Sequence, residues 1–146
     1  MKKLTTILDE PKLLSEYGKA FYWINSAEAL LRVSLEQSSG LYKIKRPLAK
    51  KILGAKIELA KHVLRKDLII ELRQMNENRK VLAHGLIQNI SNLKSKRRIY
   101  RITHRTSKGK PISKEFTVKE LKKISNQAKK VSDILFKDIE DWMINE

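Results

Sequence analysis

Apolar residues recur three and four positions apart along most of the chain, which is the spacing of amphipathic helices. The first such stretch begins at Pro11, a residue that suits the first turn of a helix, with Asp9 as the predicted cap. It ends at the stop signal Ser38-Ser39-Gly40. The residues predicted to face a core in this helix are Leu14, Tyr17, Phe21, Ile24, Leu31 and Leu35.

The same spacing predicts two further helices in the middle of the chain. Pro47 opens the second helix, and Asp67 is the predicted cap of the third. The apolar stripe of the second helix is Leu48, Ile52, Ala55, Leu59 and Val63. That of the third helix is Leu68, Leu72, Met75, Leu82 and Leu86.

Beyond Ile90 the apolar spacing changes to a period of about two, which is typical of strands. Residues 97–105 predict one strand and residues 112–116 a second, with a Gly- and Pro-containing turn at 107–111 between them. The sequence therefore predicts a β-hairpin at about 97–117.

A final helix follows the hairpin. Thr117 and Glu120 have the spacing of a capping box, and helical periodicity continues from there to Trp142. The predicted fold class is therefore mainly α. We expect an up-and-down bundle of four to five helices, with four as the working count and the hairpin before the C-terminal helix.

Composition narrows the class of protein. The chain has 146 residues, of which 41% are apolar, so we expect a single domain spanning 1–146. It has no cysteine, which excludes disulfides and thiolate chemistry. No His-Glu-x-x-His or Glu-x-x-His spacing occurs, so no metal and no cofactor are predicted. The chain also lacks a signal-like start and a membrane-length apolar run, which predicts a cytoplasmic protein without a membrane partner.

Charge points to an anionic partner. Lys and Arg number 32 against 16 Asp and Glu, which gives a formal charge of +16. Residues 93–130 carry fourteen basic side chains and two acidic ones. In the last sixteen residues, by contrast, most of the charged side chains are acidic. Segregated positive charge is typical of proteins that bind nucleic acid. A solvated, lysine-rich surface without a ligand is the alternative interpretation.

The segment 76–85 carries the strongest candidate chemistry. It reads Asn-Glu-Asn-Arg-Lys-Val-Leu-Ala-His-Gly, with Arg79 and His84 separated by four residues. In this motif the chain resembles the HEPN superfamily, whose nuclease members carry Arg, four to six residues, then His on an inner helix of an α-bundle. The resemblance implies a small bacterial stand-alone member that acts as a homodimer, with two such helices at a shared cleft.

Helix geometry bears on whether the two residues meet. Arg79 falls in the middle of the apolar stripe of the third helix, where a guanidinium requires a partner or a cavity. His84 lies about 140° away on a straight helix. The pair can share a pocket if the helix is distorted at Asn76 and Asn78, which are the predicted supporting residues, or if Arg79 extends along the helix. A two-fold dimer is the other route.

A structural interpretation of both residues stays open. Arg79 can form a buried ion pair with Glu28 or Glu36 on a neighbouring helix. His84 can satisfy carbonyl groups at the end of its helix. A second Arg–His match, Arg97 or Arg98 with His104, lies in the predicted strand, where His104 is interpreted as a packing residue or a phosphate contact.

The resemblance implies a metal-independent endoribonuclease of the toxin or phage-defence kind. His84 would act on the proton of the RNA 2′-hydroxyl or of the leaving oxygen, and Arg79 would stabilise the phosphate charge. Lys80 departs from the small polar residue that nuclease members often have after the arginine. The predicted partners are RNA, a second copy of the chain, and an acidic antitoxin or regulatory protein. The predicted nucleic-acid contacts are Lys80, Arg97, Arg98, Arg101, Arg105, Lys108 and Lys110.

Three other functions compete with the nuclease. In a non-catalytic nucleic-acid-binding module, Arg97, Arg101 and Arg105 on one strand face would hold phosphates. In a helical adaptor, the positive charge would match an acidic protein. A winged helix-turn-helix ranks third, because residues 67–92 look too long and too apolar for a recognition helix.

Overall fold

The structure is a computed structural model that describes residues 10–37, 52–84, 86–89, 98–105 and 108–144. Its elements in chain order are α1 Pro11–Gln37, α2 Leu53–Ala60, α3 Lys66–His84, β1 Leu86–Asn89, β2 Ile99–Arg105, β3 Pro111–Thr117 and α4 Val118–Ile144. The predicted fold class is confirmed: the chain is mainly helical, with an antiparallel hairpin directly before the C-terminal helix.

The two longest helices, α1 and α4, lie side by side and run in the same direction. Lys12 and Lys119, near their first residues, line the same cavity. Farther along, the Ser132 hydroxyl of α4 donates to the Trp23 carbonyl of α1 at 3.2 Å. The parallel arrangement places the N-termini of two 27-residue helices at one end of the molecule.

Helix α3 runs antiparallel to both of them. Tyr17, near the start of α1, donates a hydrogen bond to the carbonyl of Leu82 near the end of α3. Asn78 contacts Gln127 in the N-terminal half of α4. The buried side chains of α1, α3 and α4 form the core between these helices, including Ala20, Ile24, Ala27, Leu31, Leu72, Met75, Leu121, Ala128, Val131 and Leu135.

The predicted core stripes of the first two helices need corrections. In α1, Leu13 is buried and Leu14 is exposed, so the buried face is rotated by about one residue at this end. In α2, Ile52 is exposed and the buried positions are Leu53, Lys56, Ile57 and Ala60. The stripe for α2 was wrong because Lys56 occupies a core position that apolar spacing does not reveal. Pro47 and Leu48 lie outside the described residues.

The hairpin gains a third strand that was not predicted. Leu86, expected to continue the third helix, instead begins β1, because α3 ends at His84. β1 pairs antiparallel with β2, with Leu86 opposite Thr103 and Asn89 opposite Tyr100. Joining the sheet gives this backbone hydrogen-bond partners along one edge of the hairpin. The strand order is β1-β2-β3.

The predicted alternation of β2 and the Thr117 half of the predicted capping box are both present. Tyr100 and Ile102 are buried, and Tyr100 lies opposite Phe116 of β3 with ring centroids 5.7 Å apart. The hydroxyl of Thr117 accepts a hydrogen bond from the Glu120 backbone N–H at 3.2 Å, which fixes the start of α4. Within the described ranges, we find no helix that combines the length and apolarity needed to cross a bilayer.

Candidate functional site

Arg79 lies on α3 at a point where three helices meet. Its Nη2 atom is 3.9 Å from Oε2 of Glu28 on α1. The other oxygen of Glu28 accepts a hydrogen bond from Nζ of Lys56 on α2 at 3.0 Å. One carboxylate therefore lies between an ammonium and a guanidinium. We call Glu28, Lys56 and Arg79 the three-helix charge cluster.

The charge cluster is unequally buried. Only 6% of the Lys56 side chain is exposed, against 19% for Glu28 and 34% for Arg79. Lys56 takes the close contact, whereas the distance from Arg79 to Glu28 exceeds that of a hydrogen bond. Arg79 is thus loosely paired and partly open to solvent, and the cluster carries one more positive charge than negative.

The ion-pair interpretation of Arg79 is therefore correct as to its partner. Glu28 is the carboxylate that faces Arg79. Glu36, the other candidate, pairs with Arg32 one turn earlier on α1 at 3.2 Å, and both of those side chains are largely exposed. An ion pair in the fold and a phosphate contact are compatible roles for Arg79, because the guanidinium has five N–H donors.

The segment between Arg79 and His84 is a regular part of α3. The helix is continuous from Lys66 to His84, without a break at Asn76 or Asn78. On a continuous helix, positions 79 and 84 lie about 140° apart around the axis. The backbone of one chain therefore does not direct these two positions to the same side. The described residues include the helical position of His84 but not its side chain, and Gly85 lies outside them.

The two predicted supporting asparagines fix the position of α3. Asn78 is buried, and its side-chain amide lies 3.5 Å from the Gln127 side-chain oxygen on α4 and 3.4 Å from the Gln74 side-chain nitrogen. Asn76 is half-buried, with its side-chain nitrogen packed against Gly54 of α2. Both residues therefore hold the helix that carries Arg79 rather than facing open solvent.

Lys80, a predicted nucleic-acid contact, lies on the surface. Its Nζ atom is 3.0 Å from Oε1 of Glu77 one turn earlier, and both side chains are more than half exposed. An exposed pair of this kind stabilises little and exchanges readily with other partners. Lys80 therefore remains accessible to an anion, although it does not join the charge cluster.

Arg98 is directed away from the other hairpin arginines. It donates to Oε1 of Glu10 at 2.8 Å, and the Tyr100 hydroxyl donates to the same oxygen at 3.1 Å. Burial, reinforced by the hydrogen bond to Glu10, raises the pKa of Tyr100. Hydrogen bonding with Tyr100 and then Glu10 raises the pKa of Arg98, so this guanidinium stays charged.

The outer face of the hairpin carries the remaining predicted contacts. Arg101 forms an ion pair with Glu115 across the strands at 2.9 Å, whereas Arg105 is exposed near the tip. Lys108 and Lys110 flank Gly109, whose φ of 79° places it in the left-handed region of the turn. Arg101, Arg105, Lys108 and Lys110 therefore lie on the surface of the hairpin, where the sequence predicts contacts with nucleic acid. Arg97 lies outside the described residues.

Sequence reasoning missed two buried charges and the surface of α4. Glu10 and Lys56 are both more than nine-tenths buried, and no spacing rule selects them. On α4, Lys119, Lys122 and Lys123 are exposed, and no carboxylate of the described residues lies within 4.0 Å of their ammonium groups. The high basic content of residues 93–130 was the available signal for these lysines.

Among the described residues, no three His, Asp or Glu side chains lie close enough together to hold a metal ion. Comparison with known proteins found no matching family model, no matching curated protein and no matching solved structure. The features of the structure that bear on function are therefore the charge cluster, the end of α3 and the basic surfaces.

Proposed function

We propose that the protein is a metal-independent endoribonuclease of the HEPN type, in which Arg79 binds the scissile phosphate and His84 transfers the proton. The observation that carries this proposal is the excess positive charge beside a partly exposed Arg79. Two cations share one carboxylate, and a phosphate would supply the missing negative charge. RNA brings its own nucleophile in the 2′-hydroxyl, so no metal is required.

The proposal includes a homodimer. Because positions 79 and 84 are about 140° apart on a continuous α3, a site built from one chain would have to span the helix. A two-fold pair of α3 helices removes that difficulty, since Arg79 of one copy can face His84 of the other. A toxin or phage-defence role, restrained by an acidic partner, is compatible with the formal charge of +16.

Cleavage of labelled RNA in EDTA tests the enzymatic part. Arg79→Ala and His84→Ala should each lower the rate by about a hundredfold or more, the usual effect of losing a charge-stabilising donor or a general acid–base group. Arg73→Ala and His62→Ala are matched controls, because both residues are exposed and lie away from the charge cluster. A wild-type protein that leaves RNA intact, or controls that lose as much activity, would contradict the proposal.

Mixing the two inactive variants tests the dimer. If the site combines Arg79 of one copy with His84 of the other, a mixed dimer of Arg79→Ala and His84→Ala chains keeps one complete site. Partial activity should therefore return on mixing. A mixture as inactive as its components, with subunit exchange shown by size or by label, would place both residues in the same chain.

A non-catalytic RNA-binding module is the second candidate, favoured by the basic surface of the hairpin and α4. Arg105 and Lys122 are exposed, and the described residues place no carboxylate beside either of them. If the protein is such a module, the double variant Arg105→Ala and Lys122→Ala should bind RNA more weakly, and its binding should depend less on salt concentration. Neither this variant nor the wild type should cleave RNA. Binding retained by His84→Ala without cleavage by the wild type would favour the module.

A further inference from the structure

The end of the molecule where α1 and α4 begin contains a cavity of about 770 Å³. This volume is in the range of ligand pockets, which hold roughly 300–1,000 Å³. Pro11, Leu13 and Val118 give it largely apolar walls. Apolar walls with a few convergent polar groups are the usual character of a small-molecule site.

Three cations line this cavity. They are Lys12 at the start of α1, Arg98 before β2 and Lys119 at the start of α4. The one acidic residue among the described lining residues is Glu10, which holds Arg98 at 2.8 Å. The part of the lining that the structure describes thus carries three positive charges and one negative charge. For the described lining, this excess selects an anion over a cation or a neutral molecule.

The cavity is organised before any ligand arrives. Glu10 is 7% exposed and Tyr100 1% exposed, and the Tyr100 hydroxyl and Arg98 both donate to the same Glu10 oxygen. Arg98 is therefore held by a buried carboxylate at the edge of the cavity. The parallel arrangement of α1 and α4 also directs two helix N-termini, each with partial positive charge, to this end of the molecule.

We propose that this cavity binds an amphipathic organic anion, with the anionic group near Lys12, Lys119 and Arg98 and the apolar body against Pro11, Leu13 and Val118. The ligand is a carboxylate or a phosphate monoester carried on an apolar group. The site uses neither Arg79 nor His84, so it does not depend on the proposed nuclease activity.

The test uses the full chain and the fluorescent sulfonate 8-anilinonaphthalene-1-sulfonate as the probe. We expect one saturable site per chain, from which decanoate and phenyl phosphate displace the probe. Decanol and inorganic phosphate should compete at least about tenfold more weakly, because each lacks either the charge or the apolar body. Decanoate and decyl phosphate, which carry nearly the same apolar chain, distinguish the two head groups.

Variants locate the site. Lys12→Ala with Lys119→Ala should weaken decanoate or phenyl phosphate binding by about tenfold or more. Val118→Thr should weaken binding by a smaller factor, because it adds a hydroxyl to the apolar wall while it keeps the shape of a side chain that also packs against the core. Lys123→Ala with Lys137→Ala removes the same charge outside the cavity and serves as the control. Equal binding by all these variants, or decanol binding as tightly as decanoate, would overturn the proposal.

Discussion

Replacing Glu28 with glutamine should destabilise the protein far more than any substitution of an exposed acidic residue. The substitution keeps the shape of the side chain and a hydrogen-bond acceptor for Lys56, but it removes the negative charge shared by Lys56 and Arg79. Lys56 is then a buried cation without a counter-charge, which is among the costly defects of a protein interior.

The magnitude follows from the distances in the charge cluster. At 3.0 Å from Lys56, an effective dielectric of about 20 gives an attraction of about 5.5 kcal/mol. The contact of Glu28 with Arg79 at 3.9 Å adds less, because about a third of that guanidinium is exposed and screened. Burying a glutamine costs several kcal/mol less than burying a carboxylate, because the carboxylate loses more hydration. This difference offsets part of the loss in free energy of unfolding. The net loss in free energy of unfolding should be about 2–4 kcal/mol.

Lys56→Met is the informative partner variant. Methionine keeps most of the buried stem and removes the ammonium, while Glu28 retains Arg79 as a counter-charge. Lys56→Met should therefore cost less than Glu28→Gln, because the remaining carboxylate is partly exposed and still faces Arg79, whereas Glu28→Gln leaves the more deeply buried Lys56 without its counter-charge. A larger loss of stability for Glu28→Gln than for Lys56→Met distinguishes a carboxylate shared by two cations from one that is paired with Lys56 alone.

Urea denaturation followed by circular dichroism measures both effects. Glu36→Gln is the matched control, since Glu36 forms an exposed pair with Arg32 on the same helix and should cost less than about 0.5 kcal/mol. Equal urea midpoints for Glu28→Gln and Glu36→Gln would contradict a carboxylate that neutralises a buried cation. A loss for Lys56→Met as large as that for Glu28→Gln would contradict a carboxylate shared by two cations.

Three further predictions concern the fold. Gly18→Ala should stabilise α1 by about 0.5–1 kcal/mol, because no other element of the described residues lies within 4 Å of the added methyl group. Gly109→Ala should destabilise the turn, where φ is 79°, so thermal melts of the two variants should shift in opposite directions. Thr117→Ala should cost about 1 kcal/mol in urea denaturation through loss of the α4 cap, and an unchanged midpoint would contradict this. Burial raises the pKa of the Tyr17 and Tyr100 hydroxyls above 10.0, so the folded state holds the two hydroxyl protons more tightly than the unfolded state does. The free energy of unfolding should therefore fall as pH rises above about 10. Tyr→Phe at both positions should make this fall shallower, which is checked by measuring the unfolding midpoint across alkaline pH.

Much of the fold could be predicted from apolar spacing and caps. The last helix has a strongly amphipathic sequence and a capping box, so its start at Val118 follows from local chemistry. The period-two alternation around Tyr100 and Ile102 likewise identified the inward face of β2. These features depend on neighbouring residues in the sequence, which is why one sequence is sufficient to find them.

The errors arose where distant residues decide the structure. Lys56 is buried because Glu28, on another helix, neutralises it, and no local pattern contains that information. Leu86 leaves the helical stripe because β2 offers it backbone partners in the sheet. A related limit applies to Arg79: the sequence predicts Glu28 or Glu36 as its ion-pair partner, and only the packing of α1 against α3 selects Glu28.

The most direct test of the proposed chemistry is the cleavage of one RNA and its 2′-deoxy analogue in EDTA. Once the cut site of the wild-type protein is mapped, an oligonucleotide with a single 2′-deoxyribose on the 5′ side of that bond is compared with the all-RNA strand. We expect the RNA to be cut to a 2′,3′-cyclic phosphate and a 5′-hydroxyl, and the substituted strand to stay intact at that bond. Equal cleavage of both strands, or a requirement for added metal, would contradict attack by the 2′-hydroxyl at Arg79 and His84.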